Sequence, residues 1–325
     1  MSSQLPEGLD AFLEDAGWGG AKVEPLPGDA SFRRYFRVSK DGANALLMDA
    51  PPPHEDPAPF LHVGKWLCAH GLRAPEIYAE RPEQGLVLIE DFGNDRMRDW
   101  LDDNAQAEEE TYEAAIDALV ELHRRPPGPF APYDMAVYQR EAGLFVEWYC
   151  PAMLLAVDEA GWRAAWDAVL EPLLPRQQPG VTVLRDYHAE NIMLLADGGQ
   201  GLIDFQDALV GHAAYDLVSL LQDARRDVDP ALERRMLDHY LARAQAGAEF
   251  EADYARLGAQ RNAKIVGIFA RLWLRDGKPR YLPMIPRVWA AMERDLAHPA
   301  LAPVAEWFAV NIPQHLRDSG GGEIR

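Results

Sequence analysis

The chain has 325 residues, of which 48% are hydrophobic, and a formal net charge of −20 at pH 7. This length exceeds one compact core and favours two lobes or domains. The acidity argues against a nucleic-acid ligand, because a phosphate backbone would be repelled unless a local basic patch overcame the field. No stretch approaches the roughly 18 uninterrupted apolar residues of a membrane helix. The first residues also lack the basic and apolar regions of a secretory signal, so we expect a cytoplasmic protein.

The first part of the chain mixes short β-type runs with one helical stretch, expected at residues 60–70. A small-residue turn at residues 28–31 precedes a β-rich run, which is a suitable place for a loop whose backbone N–H groups cover nucleotide phosphates. An ordinary hairpin shows the same turn, so this interpretation depends on the motifs that follow. The residues expected to contact the nucleotide in this region are Ser31, Phe32, Arg33 and Arg34.

A buried-type strand at residues 86–90 is followed by Asp91-Phe92-Gly93. The strand suits a hinge between two lobes, where groups near Ile89 and Glu90 would bind adenine. Asp91-Phe92-Gly93 spells the metal motif of kinases, but that motif must follow the catalytic loop, so we do not assign the metal to Asp91. We expect residues 1–92 to form a nucleotide-binding lobe and residues 93–325 a helical lobe that carries the catalytic loop and the acceptor site.

Helical periodicity dominates after residue 95, and His123 falls on the apolar stripe of one such helix, where packing is expected rather than catalysis. Five aromatic residues have the spacing of core helices, although aromatic rings also line sugar sites. They are Phe145, Trp148, Tyr149, Trp162 and Trp166. Cys68 and Cys150 form no metal pattern and are expected to be reduced thiols, with one disulfide as the alternative. Residues 319–322, Ser-Gly-Gly-Gly, are expected to be disordered.

The segment Leu-Arg-Asp-Tyr-His-Ala-Glu-Asn at residues 184–191 is the most informative part of the sequence. Apolar runs on both sides and an Asp-Gly-Gly turn at residues 197–199 predict a loop and a hairpin that gather Asp186, Asn191 and Asp204. In phosphoryl transfer, one carboxylate accepts the proton of the attacking hydroxyl, while an Asn and a second carboxylate hold Mg²⁺. The spacing matches the catalytic and metal motifs of kinase-like folds. It predicts phosphoryl transfer from ATP·Mg²⁺ bound between the lobes.

These motifs resemble the aminoglycoside phosphotransferase family, from about residue 28 to about residue 223. Within that family, residues 31–36, 48–52, 184–193 and 267–272 look most like the cell-wall-recycling sugar kinases, which phosphorylate the anomeric hydroxyl of N-acetylmuramate and N-acetylglucosamine. The resemblance implies a two-lobed α+β protein-kinase-like fold, with a small β-rich amino-terminal lobe and a larger helical lobe. It implies ATP and Mg²⁺ as cofactors, Asp186 as the base, Asn191 and Asp204 as metal ligands, and Asp216 as a brace for the catalytic loop.

The sequence departs from the general kinase pattern at two positions. Leu184 stands where a His is common, and the strand at residues 45–49 lacks the Lys that normally holds the α- and β-phosphates. Arg33 and Arg34 are the candidate replacements. In an extended strand they point to opposite faces, so at most one of them faces the nucleotide. Without any replacement, a non-catalytic kinase fold that binds a nucleotide or metabolite would be favoured.

Candidate acceptor contacts lie in the catalytic loop, shortly after it, and at the end of the next helix. They are His188, Glu190, Asp207, Asp223, Arg225 and Arg226. Arg225 or Arg226 would bind the lactyl carboxylate of an acidic amino sugar, although a charged surface at a helix end explains both equally well. The acidic members of the set would matter instead for a polycationic antibiotic. The favoured function is therefore ATP-dependent phosphorylation of an amino sugar, with an antibiotic or another small alcohol as the alternative acceptor.

Overall fold

The computed structural model describes residues 5–27 and 33–324, so the predicted phosphate-loop residues Ser31 and Phe32 lie outside the described residues. In this part of the chain the strands are β1 (Lys22–Pro25), β2 (Arg34–Lys40), β3 (Ala43–Asp49), β4 (Ile77–Arg81), β5 (Leu86–Glu90), β6 (Val181–Val183), β7 (Ile192–Leu194), β8 (Gln200–Leu202) and β9 (Leu209–Gly211).

The α-helices of the described residues are α1 (Leu9–Asp15), α2 (Ala58–Ala69), α3 (Met97–Asp103), α4 (Glu108–His123), α5 (Met135–Leu144), α6 (Cys150–Ala152), α7 (Glu159–Leu170), α8 (Ala214–Leu221), α9 (Pro230–Ala244), α10 (Phe250–Leu274), α11 (Ile285–Leu296), α12 (Ala302–Asn311) and α13 (Gln314–Asp318). A π-helical turn, Phe145–Tyr149, continues α5. None of the described helices has the length and apolar composition needed to cross a membrane.

The chain divides into two compact units. The first contains the residues up to 100 together with residues 191–207, and the second contains residues 101–190 and 208–325. The predicted boundary after residue 92 falls inside the first unit. Backbone hydrogen bonds explain why the later segment belongs there, since Leu194 N–H donates to Asp95 O and Leu202 N–H donates to Arg73 O, each at 2.7 Å.

The first unit is built on a five-stranded antiparallel sheet with the strand order β1-β2-β3-β5-β4. Asp41 and Gly42, both with positive φ, connect β2 to β3, as the two-residue turn of a twisted hairpin requires. Alternate residues of the strands, including Phe36 and Leu47, pack with Phe12 of α1 in one buried cluster. The alternation of β2 therefore assigns its even-numbered residues to the α1 side of the sheet and its odd-numbered residues to the other side.

Helix α2 packs against the segment that follows β8. The ring centroids of Phe60 and Phe205 lie 5.1 Å apart. A Cβ on Gly64 would lie 3.3 Å from the Phe205 ring, which shows how closely the helix approaches it. The helix predicted at residues 60–70 is confirmed, and it fixes the residue directly after Asp204.

The second unit is mainly helical, and its longest helix is the largely buried α10. The predicted core role of the aromatic residues is confirmed. Phe145, Tyr149, Trp162 and Trp166 are at most 2% exposed, and the rings of Phe145 and Trp162 stack at 5.2 Å. Trp148 is half-buried.

Three smaller predictions have clear outcomes. His123 packs on the face of α4, where its Nδ1 lies 2.8 Å from the Tyr240 hydroxyl, so packing is confirmed. Cys68 and Cys150 are free thiols, as predicted. The predicted disorder of residues 319–322 is wrong, because Gly321 is buried and its carbonyl accepts a hydrogen bond of 2.7 Å from the Tyr149 hydroxyl. The glycine run allows positive φ angles that fold this segment onto the helices.

Two glycines of the second unit provide a matched test of this packing. A Cβ on Gly267 of α10 would lie 2.3 Å from the carbonyl carbon of Leu144, whereas a Cβ on Gly143 of α5 would meet nothing within 4 Å. We expect Gly267→Ala to lower the free energy of unfolding by about 1–3 kcal/mol, since α5 and α10 must move apart. Gly143→Ala should raise it by about 0.5–1 kcal/mol, because Ala favours the helix. Urea denaturation measures both, and equal effects would contradict the close approach.

Candidate active site

The predicted catalytic loop, residues 184–191, is fixed at its start in the second unit by a buried carboxylate. Asp216, in the first turn of α8, is fully buried, and it accepts hydrogen bonds from the backbone N–H groups of Leu184 at 2.6 Å and Arg185 at 2.8 Å. Burial raises the pKa of Asp216 to about 7, although the two amide hydrogen bonds act in the opposite direction. The hydrogen bonds that the family resemblance implied are therefore present, and they hold the two residues before Asp186.

Two residues at the candidate site have a left-handed backbone. Arg185, which precedes Asp186, has φ 72°, and Asp204 has φ 61°. Residues other than glycine pay roughly 1–3 kcal/mol for such a conformation, so it persists only where surrounding contacts impose it. Backbone strain of this kind is concentrated at functional sites. Arg185 and Asp204 belong to the predicted catalytic loop and the predicted metal-ligand segment, although three other described residues, Asp41, Leu154 and Gln245, also have positive φ.

The second half of the catalytic loop is held by side chains from other elements of the same unit. The Tyr187 hydroxyl donates to the carbonyl of Ala115 in α4 at 2.7 Å. The N–H of Ala189 donates to Oδ2 of buried Asp223 at 3.3 Å. Asp186 itself is half-buried between these two anchors and the Asp216 brace.

Four of the predicted acceptor residues form one cluster, whereas Arg226 lies apart from it. Arg225 Nη1 lies 3.0 Å from His188 Nε2, and Arg225 Nε lies 2.8 Å from Glu190 Oε2. Asp223 Oδ1 accepts the backbone N–H of Arg225 at 2.8 Å. Arg226 instead binds two carboxylates, with Nη1 2.6 Å from Asp102 Oδ1 and Nη2 2.9 Å from Glu108 Oε1.

The predicted metal ligands lie together in the first unit. The predicted hairpin is present as β7 and β8, in which Ile192 pairs with Leu202. This register places Asn191 Nδ2 3.3 Å from Asp204 Oδ2, and Gln206 Nε2 donates to Asp204 Oδ1 at 2.9 Å. An amide oxygen and a carboxylate are hard oxygen donors, which is the ligand chemistry that Mg²⁺ takes. Asp207, at the end of the same segment, is exposed.

The two candidate phosphate-binding arginines have different surroundings. Arg34 Nε donates to Asp49 Oδ2 at 2.9 Å, and its guanidinium lies 5.5 Å from the centroid of Phe36, on the α1 side of the sheet. Arg33 Nη2 lies 3.6 Å from Glu55 Oε2, and both side chains are mostly buried.

The pKa of Tyr35 depends on Arg33 and on two acidic residues. Burial raises the pKa of the Tyr35 hydroxyl, Arg33 lowers it through its charge and a hydrogen bond, and Asp204 and Glu55 raise it. Arg33, Glu55 and Asp204 therefore all influence the ionisation of the same phenol, and the alternation of β2 places Tyr35 on the side of the sheet opposite to Arg34. Sequence analysis did not single out Glu55. The sequence feature that could have identified Glu55 is the position of an acidic residue shortly before the first helix after β3.

The predicted hinge residues, Ile89 and Glu90, make their contacts within the first unit. Ile89 of β5 pairs with residues of both neighbouring strands. Both carboxylate oxygens of Glu90 lie 2.6 Å from the Arg73 guanidinium, whose hydrogen bonds lower the pKa of Glu90. Asp91 accepts hydrogen bonds from Arg37 at 2.6 and 3.1 Å. Adenine contacts near Ile89 and Glu90 stay a prediction.

A model of the phosphotransferase enzyme family matches residues 22–259. The chain belongs to this family. It is 36% identical to the N-acetylmuramate/N-acetylglucosamine kinase of Caulobacter vibrioides, over 98% of this chain and 99% of that protein. It is 38% identical to the Pseudomonas aeruginosa protein of the same name, over 97% of this chain and 95% of that protein.

Solved structures of other proteins share the fold. A choline/ethanolamine kinase family protein from Mesorhizobium loti has a TM-score of 0.64 and 15% identity, covering 92% of this chain and 97% of that chain. The predicted protein-kinase-like α+β fold and the resemblance to the phosphotransferases are thus confirmed.

The Asp216 brace can be tested with a matched substitution. In Asp216→Asn, one accepting oxygen becomes an NH₂ group that faces the N–H of Leu184 or Arg185, so we expect a loss of about 1–3 kcal/mol in unfolding free energy. Asp134 caps α5 by accepting a single hydrogen bond from Val137 N–H at 2.9 Å. Asp134→Asn should be tolerated, because Asn caps helices as well as Asp does. Thermal or chemical denaturation compares the two, and equal stability losses would refute the two-acceptor role.

Proposed function

We propose that this protein is an ATP-dependent kinase that phosphorylates the anomeric hydroxyl of N-acetylmuramate and N-acetylglucosamine. The observation that carries the proposal is the set of near-full-length relatives of that name, at 36% and 38% identity. The chain also retains Asp186, Asn191 and Asp204 with the motif spacing of kinase-like folds. Because ATP is the donor, we place the activity in the cytoplasm, with small molecules rather than nucleic acid as ligands.

The proposed mechanism gives each side chain one task. Asp186 orients the acceptor hydroxyl and takes its proton as the phosphoryl group is transferred. The left-handed Arg185 and the Asp216 brace preset the direction of the Asp186 side chain. Asn191 and Asp204 would hold Mg²⁺, which neutralises charge on the phosphates when it is bound.

For the missing strand Lys, we propose Arg33 as the cation that contacts the nucleotide phosphates. Support comes from its position beside Tyr35 and Glu55, in the surroundings of Asp204. The Arg33–Glu55 pair resembles the Lys–Glu pair that orients the phosphate-binding Lys of kinases. Arg34 is the weaker candidate for this role, because Asp49 binds its guanidinium on the opposite face of the sheet.

For the acceptor, Arg225 is the better candidate to bind the lactyl carboxylate, since it adjoins His188 and Glu190 of the catalytic loop. The guanidinium of Arg226 is directed instead at Asp102 and Glu108. The same cluster weakens the aminoglycoside alternative. Glu190 is paired with Arg225, and Asp223 is buried with both oxygens accepting backbone N–H groups, so neither carboxylate is readily accessible to a polycation.

The first functional prediction concerns the product and the base. Wild-type protein with ATP·Mg²⁺ should convert both amino sugars to products whose ³¹P signal couples to the anomeric proton. Asp186→Asn should bind ATP normally but lower kcat by about 10²–10⁴, the usual contribution of a positioned general base.

Three outcomes would contradict this prediction in different ways. Coupling to a non-anomeric proton would refute the 1-kinase assignment. Turnover of kanamycin-like compounds, without turnover of the sugars, would favour the antibiotic alternative. Absence of any product would favour a non-catalytic binding protein.

The second functional prediction separates the two arginines. Arg33→Ala should raise the KM for ATP and lower kcat, together about ten- to a hundredfold, because a charge-assisted phosphate contact is lost. Arg34→Ala should lower the melting temperature, since it leaves Asp49 buried without this partner, but should keep the wild-type KM for ATP. A reversed pattern would assign the phosphates to Arg34, and unchanged ATP kinetics in both variants would remove both residues from the site.

A further inference from the structure

A buried ionic network lies beneath the catalytic loop of the second unit. Glu141 of α5 is 4% exposed, and its Oε1 accepts hydrogen bonds from Arg185 Nη2 and, at 3.0 Å, from Lys264 Nζ of α10. Its Oε2 accepts a hydrogen bond from the hydroxyl of Tyr133. Both oxygens are therefore bound, and the carboxylate cannot rotate without breaking a hydrogen bond.

The network ties the side chain of Arg185 to two helices. Lys264 Nζ also lies 3.1 Å from the hydroxyl of Tyr215, the neighbour of Asp216 on α8. Asp216 holds the backbone N–H of Arg185, while Glu141 holds its guanidinium. Arg185 is thus fixed at both ends, and this double attachment explains how a residue without glycine's freedom keeps a φ of 72°.

The three charges of Glu141, Arg185 and Lys264 do not balance among themselves. Arg185 and Lys264 carry two positive charges against the single negative charge of Glu141. Burial lowers the pKa of Lys264, but Tyr215, Glu141 and Asp186 raise it further, so the net shift is upward and the ammonium stays charged. The upward effect of Asp186 on the pKa of Lys264 shows that the charge of this carboxylate acts on the network.

We propose that Glu141 and Lys264 are positioning residues for the catalytic loop. Glu141 binds the guanidinium of Arg185 and so maintains the left-handed turn that presents Asp186, and Lys264 fixes the orientation of the Glu141 carboxylate. The inference rests on the proposed function, in which Asp186 is the base. Without the Glu141 charge, Arg185 and Lys264 would both be drawn to the Asp186 carboxylate, which would then be misdirected as a proton acceptor.

The test compares Glu141→Gln with a control that removes an ion pair elsewhere in the unit. Arg317 binds Glu293 through Nε at 2.8 Å and Nη2 at 2.5 Å, so Arg317→Gln deletes a part-buried pair that has no link to Arg185. The readouts are kcat and the KM for ATP, measured with N-acetylglucosamine, and hydrogen–deuterium exchange of the backbone amides of residues 184–190.

Glu141→Gln should lower kcat about ten- to a hundredfold, the effect of losing one charged hydrogen bond, while the KM for ATP stays unchanged. The same variant should exchange the amides of residues 184–190 faster than wild type. Lys264→Met should lower kcat less, because the Glu141–Arg185 pair remains, and Lys264→Arg should recover most of the loss. Arg317→Gln should change neither readout.

Wild-type kcat in folded Glu141→Gln would overturn the inference, as would unchanged exchange at residues 184–190 or an equal kcat loss in Arg317→Gln. If Glu141→Gln does not fold, the contrast between Lys264→Met and Lys264→Arg decides, and equal kcat values in those two variants would refute it. If wild type phosphorylates no sugar, the proposed function fails, whereas the exchange comparison still tests the positioning role.

Discussion

The catalytic loop depends on the convergence of two backbone N–H groups, from Leu184 and Arg185, on the buried carboxylate of Asp216. These groups belong to the residues between β6 and Asp186, where no strand partner satisfies them, and a buried unsatisfied amide is costly. The single carboxylate of Asp216 accepts a hydrogen bond from each of these N–H groups. Because α8 begins shortly after β9, and β9 pairs with β6, the same short path through the chain supplies both the loop and its brace.

The rest of the loop follows the same logic, with each anchor drawn from a different element. Tyr187 reaches α4, Ala189 is held by Asp223 after α8, and the side chain of Arg185 reaches α5. A loop fixed at several points loses little conformational freedom when it binds its ligands, which is the physical basis of preorganisation in catalysis. This preorganisation has an energetic cost, which is the conformational strain of the left-handed backbone at Arg185.

Much of this architecture could be predicted from local sequence. The hairpin of β7 and β8 follows from apolar runs on either side of an Asp-Gly-Gly turn, and the spacing of Asp186, Asn191 and Asp204 is a short-range pattern. The choice between adjacent arginines could not be predicted, because the partners that separate Arg33 from Arg34 are distant in sequence.

The wrong prediction of disorder for residues 319–322 has a similar cause. Residues 319–322 have the composition of a flexible tail, but Tyr149, far earlier in the chain, holds them. Likewise, residues 191–207 join the first compact unit through hydrogen bonds to Asp95 and Arg73. Such bonds between distant segments cannot be predicted from the local sequence. The composition of a segment indicates its conformational preference in isolation, whereas contacts with residues distant in sequence determine its conformation in the folded protein.

The contact between Arg225 and His188 determines which ring nitrogen of His188 carries the proton. A guanidinium has N–H donors and no acceptor, so the imidazole nitrogen that faces it, Nε2, must supply the lone pair, and the ring proton must reside on Nδ1. The basic nitrogen of His188 is thereby occupied by a permanent cation. Three side chains in this loop have the chemistry of a general base, and two of them, His188 and Glu190, face the Arg225 guanidinium. The carboxylate of Asp186 is therefore the remaining candidate for the proposed base.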